Sequence, residues 1–240
     1  RRYTNQLLRF QKSWGKHNVN GLLAYEFNDW EMKFTDVYAT GFLSGFEDFT
    51  TTSKPEKANG YRQAWAKQSY FTQWRYNYDN RYFGEVSLRR DGRSNFGSNN
   101  RYGNFFSFSG AWNMNNESWF KAQWVDMLKL RASFGSVGNV PTSLYPSYSL
   151  YSVGASYNEQ SGALISQIGN KDLTWEKTFT TGVGVDAAFF QNRLTATLDF
   201  YVKNTSNILY QVPVTGLVGV TSIWKNIGKM RNTGVELTIG

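Results

Sequence analysis

Apolar and polar residues alternate along this chain over segments that are long for β-strands. In residues 179–189 the odd-numbered positions are mostly apolar and the even-numbered positions are polar or small, and the alternation resumes in residues 194–202. Residues 70–78 and 82–88 form a second pair of alternating segments. Because successive side chains of a strand point to opposite faces, both pairs are predicted β-hairpins with one apolar and one mixed face.

The length of these strands favours a membrane protein. They run for about 11 to 16 residues, whereas strands of soluble domains cluster near five or six and transmembrane strands need roughly nine to eleven. The chain is 40% hydrophobic, yet its mean hydropathy is −0.52, and no apolar run reaches the roughly 18 residues of a transmembrane helix. The sequence therefore predicts an all-β chain, a segment of a transmembrane antiparallel β-barrel. A soluble β-sandwich with one face in water remains the alternative.

The connections between the predicted strands alternate between short and long. Short turns are predicted at Asp79-Asn80, Gln191-Asn192 and residues 14–18, and long loops at residues 29–67, 91–101 and 139–172. Outer-membrane barrels have short periplasmic turns and long extracellular loops. Aromatic residues beside the short turns are expected at the lipid head groups: Trp14, Tyr76, Tyr78, Tyr82, Trp112, Phe189 and Phe190. The pattern predicts roughly ten strands, the last near residues 232–240.

Charge, cysteine and histidine contents argue against several function classes. The formal charge is +8, but the 26 Lys and Arg residues are scattered, so no nucleic-acid binding is expected. The chain has no cysteine and one histidine, His17, in a predicted turn, which offers no basis for a catalytic triad or a His-rich metal site. Calcium binding by the loop acids Glu47, Asp48 and Asp91 is conceivable but lacks EF-hand spacing. We predict neither enzymatic activity nor a cofactor.

Five residues near the predicted long loops are candidates for ligand contact. Trp30 and Trp65 bracket the 29–67 loop, where they either stack on sugar rings or, the interpretation favoured here, anchor the chain at the outer lipid interface. Arg89, Asp91 and Arg93 are predicted at the extracellular mouth. The Asp-Gly pair at 91–92 is also explained as a tight turn, because both residues tolerate positive φ.

Six local sequences resemble the SusC/RagA group of TonB-dependent receptors and follow that group's order along the barrel. They are SWGKHNV (13–19), SLRRDGRSNFG (87–97), LKLRASFGSVGN (128–139), NKDLTWEK (170–177), FYVKNTSNIL (200–209) and NIGKMRNTGVE (226–236). Together they extend over nearly the whole chain and form a specific signal, although each one alone is weak.

The resemblance implies a barrel of about 22 strands filled by an N-terminal plug. Residues 1–240 are then expected to be one partial domain, the C-terminal half or so of the barrel, with no plug-like region. The resemblance also implies a Gram-negative outer membrane, contact with its lipid, and energy from the TonB complex. The expected function is import of glycan or peptide cargo under a SusD-like surface lipoprotein. A structural role in a larger envelope complex and a soluble β-sandwich that binds carbohydrate are the alternatives.

Overall fold

The computed structural model describes residues 1–46, 48–216 and 219–240, and β-strands dominate them. In chain order the strands are β1 (Arg2–Trp14), β2 (His17–Phe42), β3 (Thr52–Tyr78), β4 (Tyr82–Arg93), β5 (Tyr102–Asn113), β6 (Val125–Asn139), β7 (Leu150–Tyr157), β8 (Gln160–Gln167), β9 (Glu176–Phe189), β10 (Leu194–Ser206), β11 (Leu209–Pro213), β12 (Ser222–Asn226) and β13 (Lys229–Ile239). Short 3-10 turns span Phe49–Thr51 and Met114–Asn116. Among the described residues, no helix has the length and apolarity needed to cross a membrane.

Nine of these strands form one antiparallel sheet in the order β1-β2-β3-β4-β5-β6-β9-β10-β13. The remaining four form two separate hairpins, β7–β8 between β6 and β9, and β11–β12 between β10 and β13. Neighbours in the chain are therefore neighbours in the sheet, apart from these two insertions. The predicted antiparallel all-β wall is confirmed, with nine strands in place of the roughly ten expected from the alternation.

The short turns predicted between long strands are confirmed. Between β3 and β4, Asp79 and Asn80 have φ of 51° and 54°, and the amide of Arg81 donates to the Tyr78 carbonyl oxygen at 2.9 Å. Asp and Asn tolerate this left-handed region better than other side chains. Residues 190–192 between β9 and β10 also have positive φ. These turns, the β1–β2 turn and the β5–β6 connection lie at one end of the sheet, which we call the short-turn end.

Cross-strand register divides the sheet into an apolar face and a polar face. One row of register partners across β6, β9, β10 and β13 contains Leu130, Val185, Leu198 and Leu237. The next row contains Lys129, Asp186, Thr197 and Thr238. The apolar face is open, since Leu198 is 46% and Leu237 63% exposed, and no second sheet covers it in the described part of the chain. A β-sandwich would bury this face, so that alternative is wrong.

The loop predicted at residues 29–67 is wrong, because β2 and β3 stay paired through most of it. Their pairing continues as far as Phe42 and Thr52, with one irregularity near residues 38–39. Strand β4 accompanies β3 only up to Lys67, so residues 30–42 and 52–65 project beyond the neighbouring strand as a two-stranded extension, the β2–β3 ribbon. Its charged and small residues look loop-like in sequence, but ladder hydrogen bonds join backbone groups and do not require an apolar side chain.

The tight turn predicted at Asp91 and Gly92 is also wrong. Both residues lie in β4, where Asp91 is the register partner of Ser69 on one side and Gly103 on the other. Neither Asp91 nor Gly92 has a positive φ. Pairing with both neighbouring strands holds this segment extended and overrides its local preference for a turn. The connection to β5 is residues 94–101.

The long connections at the opposite end of the sheet pack against one another. Phe96 of the β4–β5 connection, Phe105 of β5, and Leu173 and Trp175 before β9 form a buried cluster, which we call the loop core. Phe96 and Leu173 are fully buried. The β11–β12 hairpin packs on this cluster through residues 209 and 224. The predicted 139–172 loop contains the β7–β8 hairpin, so this end of the sheet is more ordered than the sequence suggests.

Candidate binding site on the polar face

Two tryptophans and an arginine meet on the polar face at the base of the β2–β3 ribbon. Trp30 and Trp65 are direct register partners on β2 and β3, which places their Cβ atoms roughly 5 Å apart. The guanidinium carbon of Arg93 lies 5.7 Å from the centroid of the Trp65 ring. All three side chains are half-buried. A cation over an indole face is attracted by the ring quadrupole, so Trp65 holds the Arg93 guanidinium at this position.

Below these residues, two ion pairs occupy the same face. Lys67 Nζ lies 3.0 Å from Glu26 Oε1, and both side chains are about four-fifths buried, with 20% and 19% exposed. Arg89 Nε donates to both carboxylate oxygens of Asp91 at 2.8 Å, and its Nη2 donates to Ser69 Oγ at 3.3 Å. Each of these two cations therefore has an internal carboxylate partner.

The structure brings all five sequence-predicted residues to the polar face of the long-connection end. Trp30, Trp65 and Arg93 form one group, and the Arg89–Asp91 pair lies one register step toward the short-turn end. The interpretation of Trp30 and Trp65 as lipid anchors is wrong, because alternation along β2 from Glu26 puts Trp30 on the same face as this charged residue. Of the acids considered for calcium, Asp91 is bound to Arg89 and Glu47 lies outside the described residues.

Sequence reasoning missed Asn28, which lies on the polar face between Glu26 and Trp30. Asn28 is 9% exposed, and its Oδ1 is buried and receives no hydrogen bond from the described residues. A buried polar atom without a partner costs free energy and calls for an explanation, such as a bound water or ligand. The period-two pattern through Trp30 was the signal that could have found it.

A second polar group missed from the sequence joins three strands in the middle of the polar face. Arg131 Nε and Nη2 donate to the two oxygens of Asp186 at 2.7 and 2.9 Å, and Nη2 also lies 3.0 Å from Asp199 Oδ1. Arg75 Nε lies 2.8 Å from Glu85 Oε2 on the neighbouring strands. A concavity of about 510 Å³ lies between these ion pairs and has a floor of small residues, among them Ser109, Gly182 and Gly184. Several charged residues grouped on one face of a barrel wall belong to a water-filled lumen and not to a lipid-facing surface.

The apolar face carries a row of aromatic rings along the short-turn end. Trp14 and His17 stack at 5.3 Å, Tyr78 and Tyr82 at 6.3 Å, and Tyr82 and Trp112 at 6.3 Å. His17 Nδ1 also lies 2.8 Å from the Tyr76 hydroxyl oxygen, so His17 has a structural place within this row. The predicted grouping of aromatic residues beside the short turns is confirmed, and it has the form of the girdle that flanks the apolar band of a membrane barrel.

Glu117 in the β5–β6 connection ties this row to the sheet. Its Oε1 accepts hydrogen bonds from the Tyr82 hydroxyl at 2.6 Å and from Trp112 Nε1 at 3.0 Å. Arg81 Nη1 approaches Oε2 at 3.4 Å. These hydrogen bonds, with the Tyr82 hydroxyl contributing most, favour the ionised form and lower the pKa of Glu117 below its ordinary value.

Together these features define a class of protein. An extended antiparallel sheet presents an exposed apolar face with an aromatic row at one end and a polar face crossed by ion pairs, and its strands span 11 to 27 residues apart from those of the two inserted hairpins. This is the wall of a transmembrane β-barrel. The family model for the β-barrel of TonB-dependent-receptor-like proteins matches residues 1–240, and the chain belongs to this family.

Named relatives and solved structures agree with the family model. The chain is 34% identical over 228 residues to the TonB-dependent receptor P39 of Formosa agariphila, which covers 93% of this chain and 22% of the relative. It is 31% identical over 183 residues to the TonB-dependent receptor SusC of Bacteroides thetaiotaomicron, covering 71% of this chain and 18% of that protein. A solved RagAB peptide transporter superposes with a TM-score of 0.88 at 30% identity, over 99% of this chain and 27% of the solved chain.

More distant structures share the fold alone. A ferric enterobactin receptor from Pseudomonas aeruginosa superposes with a TM-score of 0.60 at 17% identity. The chain spans 22% of the P39 receptor and 27% of the RagAB chain, so its fold is that of one part of a longer barrel protein.

Proposed function

We propose that the full-length protein is a TonB-dependent importer in the outer membrane of a Gram-negative bacterium, of the SusC type, and that it takes up glycans or oligopeptides. The observation that carries the proposal is the separation of the two faces. The apolar face suits contact with lipid, while the polar face holds charged pairs from β3 to β10 that suit a hydrated passage. In this proposal residues 1–240 supply part of the barrel wall.

The proposed partners follow from the relatives. The solved RagAB structures are described as a peptide importer in closed-closed and open-open states, and SusC is a named TonB-dependent receptor. By this likeness, a SusD-like surface lipoprotein covers the extracellular mouth and the TonB complex supplies energy. The β2–β3 ribbon and the loop core lie at the end of the sheet where such a lid would contact the barrel.

We propose no catalytic role. The relatives are receptors, and His17 is held between aromatic rings by stacking and a hydrogen bond. Replacement of His17 by Ala should leave import intact, apart from any loss of protein from the membrane.

The proposal is tested on the full-length protein in its source bacterium. Envelope fractionation should place it in the outer membrane, with the heat-modifiable gel mobility of a folded barrel. A strain that lacks the protein should grow normally on monosaccharides and amino acids, but poorly when a polysaccharide or a protein digest is the sole nutrient. Complementation should restore growth, and complementation in a strain without a functional TonB complex should not.

Two results would contradict the proposal. Recovery of the protein in the soluble fraction would exclude the barrel location. Normal growth of the deletion strain on every polymeric nutrient, together with defects in envelope integrity, would favour a structural role in an envelope complex.

A further inference from the structure

We propose that the polar-face group of Trp30, Trp65, Arg93 and Asn28 is a binding site for the uronic-acid units of an acidic glycan. The inference rests on the proposed import function and narrows its cargo to one class. It draws on three features of the described residues. They are the aromatic rings on one face of the β2–β3 ribbon, the Arg93 guanidinium, which has no ion-pair partner, and the buried Asn28 Oδ1, which accepts no hydrogen bond.

Aromatic rings continue from the two tryptophans along the same face of the β2–β3 ribbon. Phe34 and Tyr61 are register partners two steps beyond Trp30 and Trp65, and their rings stack at 5.0 Å with an interplanar angle of 26°. Both are exposed, at 45% and 50%. Tyr38 lies two further steps along the face and is also exposed. Exposed rings aligned on one face mark a binding surface.

The opposite face of the ribbon carries charged and polar side chains and none of these aromatic rings. It carries Lys33, Thr35 and Arg62, and Arg62 Nη2 pairs with Glu31 Oε2 at 2.9 Å. The ribbon therefore carries its aromatic rings on the side that continues the polar face of the sheet, where it also carries the charged residues Asp36 and Lys57. A pyranose ring has flat C–H faces, and the electron-rich face of an aromatic ring attracts such polarised hydrogens.

Charge distinguishes an acidic sugar from a neutral one at this position. Among the described residues, Lys67 is paired with Glu26 and Arg89 with Asp91, whereas Arg93 has no ion-pair partner. The group thus carries one uncompensated positive charge on a half-buried guanidinium. A guanidinium binds a carboxylate through two parallel hydrogen bonds, and it is more weakly hydrated than an ammonium group.

Asn28 supplies the third feature. Its buried Oδ1 accepts no hydrogen bond within the described part of the chain, and it lies one step from Trp30 on the same face. A sugar hydroxyl is a suitable donor once the Asn28 amide turns to meet it, because Oδ1 has almost no accessible surface in this conformation. A uronic-acid unit therefore matches the site in three ways, with a C–H face for the indoles, a carboxylate for Arg93 and hydroxyl donors for Asn28. An acidic peptide supplies the carboxylate and N–H donors but no saturated ring face.

The experiment measures binding to the full-length protein purified in detergent. The probes are an oligogalacturonate hexamer, the same hexamer fully methyl-esterified so that its charges are removed, and a glutamate hexapeptide. We expect the oligogalacturonate to bind at least about tenfold more tightly than the ester, because hydrogen bonds to charged groups have this order of effect. The Arg93→Gln variant should lose that preference while it retains weak binding of the ester.

Two further variants separate a binding role from a structural one. Trp65→Ala should weaken binding of the ester, which presents the same ring faces as the acid. It should weaken binding of the acid at least as much, since Trp65 also holds the Arg93 guanidinium. Arg62→Gln removes a cation from the opposite face of the ribbon and is the matched control, which should bind like the unmodified protein. Binding is compared only among variants that show the same heat-modifiable gel mobility as the unmodified protein, so that misfolded protein does not enter the comparison.

Each outcome decides the matter. Equal affinity for the acid and the ester overturns the proposal. An equal loss of affinity for the oligogalacturonate in Arg93→Gln and Arg62→Gln overturns it as well. Preferential binding of the glutamate hexapeptide overturns the assignment to glycan and leaves a peptide importer. The broader proposal of import is tested by a different result: normal growth of the deletion strain on polymeric nutrients would contradict it, whatever the binding measurements show.

Discussion

Arg131 and Asp199 form an ion pair across the backbone of the strand that separates them. Arg131 on β6 and Asp199 on β10 are both register partners of Gly184 on β9, and Arg131 Nη2 lies 3.0 Å from Asp199 Oδ1. A Cβ atom at Gly184 would lie 2.3 Å from Asp199 Oδ1 and 2.9 Å from Arg131 Nη2. The ion pair therefore depends on the absence of a side chain at position 184.

The first prediction concerns this glycine. Gly184→Ala should force the Arg131 and Asp199 side chains apart and lower the unfolding temperature of the barrel in detergent. We expect a cost of about 1 kcal/mol, because both side chains are about one-third exposed, 35% and 36%, and solvent weakens such pairs. Gly84→Ala is the control, since a Cβ there meets no atom within 4 Å. Equal unfolding temperatures for the two variants would show that the ion pair does not need Gly184.

The second prediction tests the two faces. Val185 lies between Leu130 and Leu198 on the apolar face, whereas Thr197 donates to Asp186 Oδ1 on the polar face. Val185→Arg should impair assembly, because an arginine facing lipid near the bilayer midplane costs about 2 to 4 kcal/mol. Thr197→Arg should be better tolerated. The measurement is the fraction of heat-modifiable protein in the outer membrane, and equal fractions for both variants would contradict the assignment of the faces.

The third prediction is a dependence on pH at the short-turn end. The Tyr82 and Trp112 hydrogen bonds lower the pKa of Glu117 in the folded protein, so the ionised carboxylate stabilises the fold. This stability is fully present above the unfolded value of about 4.5 and is lost as the pH falls through the lower folded value. The unfolding temperature of Glu117→Gln should lie below that of the unmodified protein at pH 7, and the gap should narrow toward pH 3.

Glu159→Gln is the control for this series, because Glu159 is an exposed carboxylate in the β7–β8 turn. It should have no effect on the unfolding temperature at either pH. If the difference in unfolding temperature between Glu117→Gln and the unmodified protein stays constant from pH 7 to pH 3, the carboxylate charge contributes nothing to stability.

The fourth prediction concerns the loop core. Trp175 is 4% exposed and its ring lies 5.0 Å from Phe96 and 5.3 Å from Phe105. Trp175→Ala should cost about 3 to 5 kcal/mol of local stability and make residues 140–172 much more sensitive to protease, while heat-modifiable mobility is kept. Trp119→Ala removes an exposed tryptophan and should leave the cleavage rate unchanged. An unchanged rate in both variants would mean that the loops are ordered without this core.

Much of the wall was predictable from local sequence. Period-two alternation alone predicts which side of the sheet Val185 and Thr197 occupy, and Asp79 and Asn80 mark a tight turn because they tolerate positive φ. These features depend on neighbours in the chain, so a single sequence contains them. The same reasoning failed at Asp91 and Gly92, where pairing with β3 and β5 keeps the backbone extended.

The candidate site was predictable only as a set of residues. The sequence singled out Trp30, Trp65 and Arg93 but assigned the tryptophans to a long loop and to the lipid interface. Their meeting depends on the register of β2, β3 and β4, which brings residues 28, 67 and 93 side by side. The period-two pattern places Asn28 on the same face as Trp30 but does not single it out, because a polar residue in a strand becomes unusual only once its neighbours bury it.

The sequence by itself determined the all-β class, the short turns and the division into two faces, since each follows from side-chain alternation and turn chemistry over a few residues. The tertiary structure decided where each strand ends, how far the β2–β3 ribbon projects and which distant residues form the loop core and the polar-face site. These features rest on contacts between residues far apart in the chain, such as Arg131 with Asp199 and Phe96 with Trp175. Such contacts form only after register and strand order are set, because backbone pairing and packing select them together.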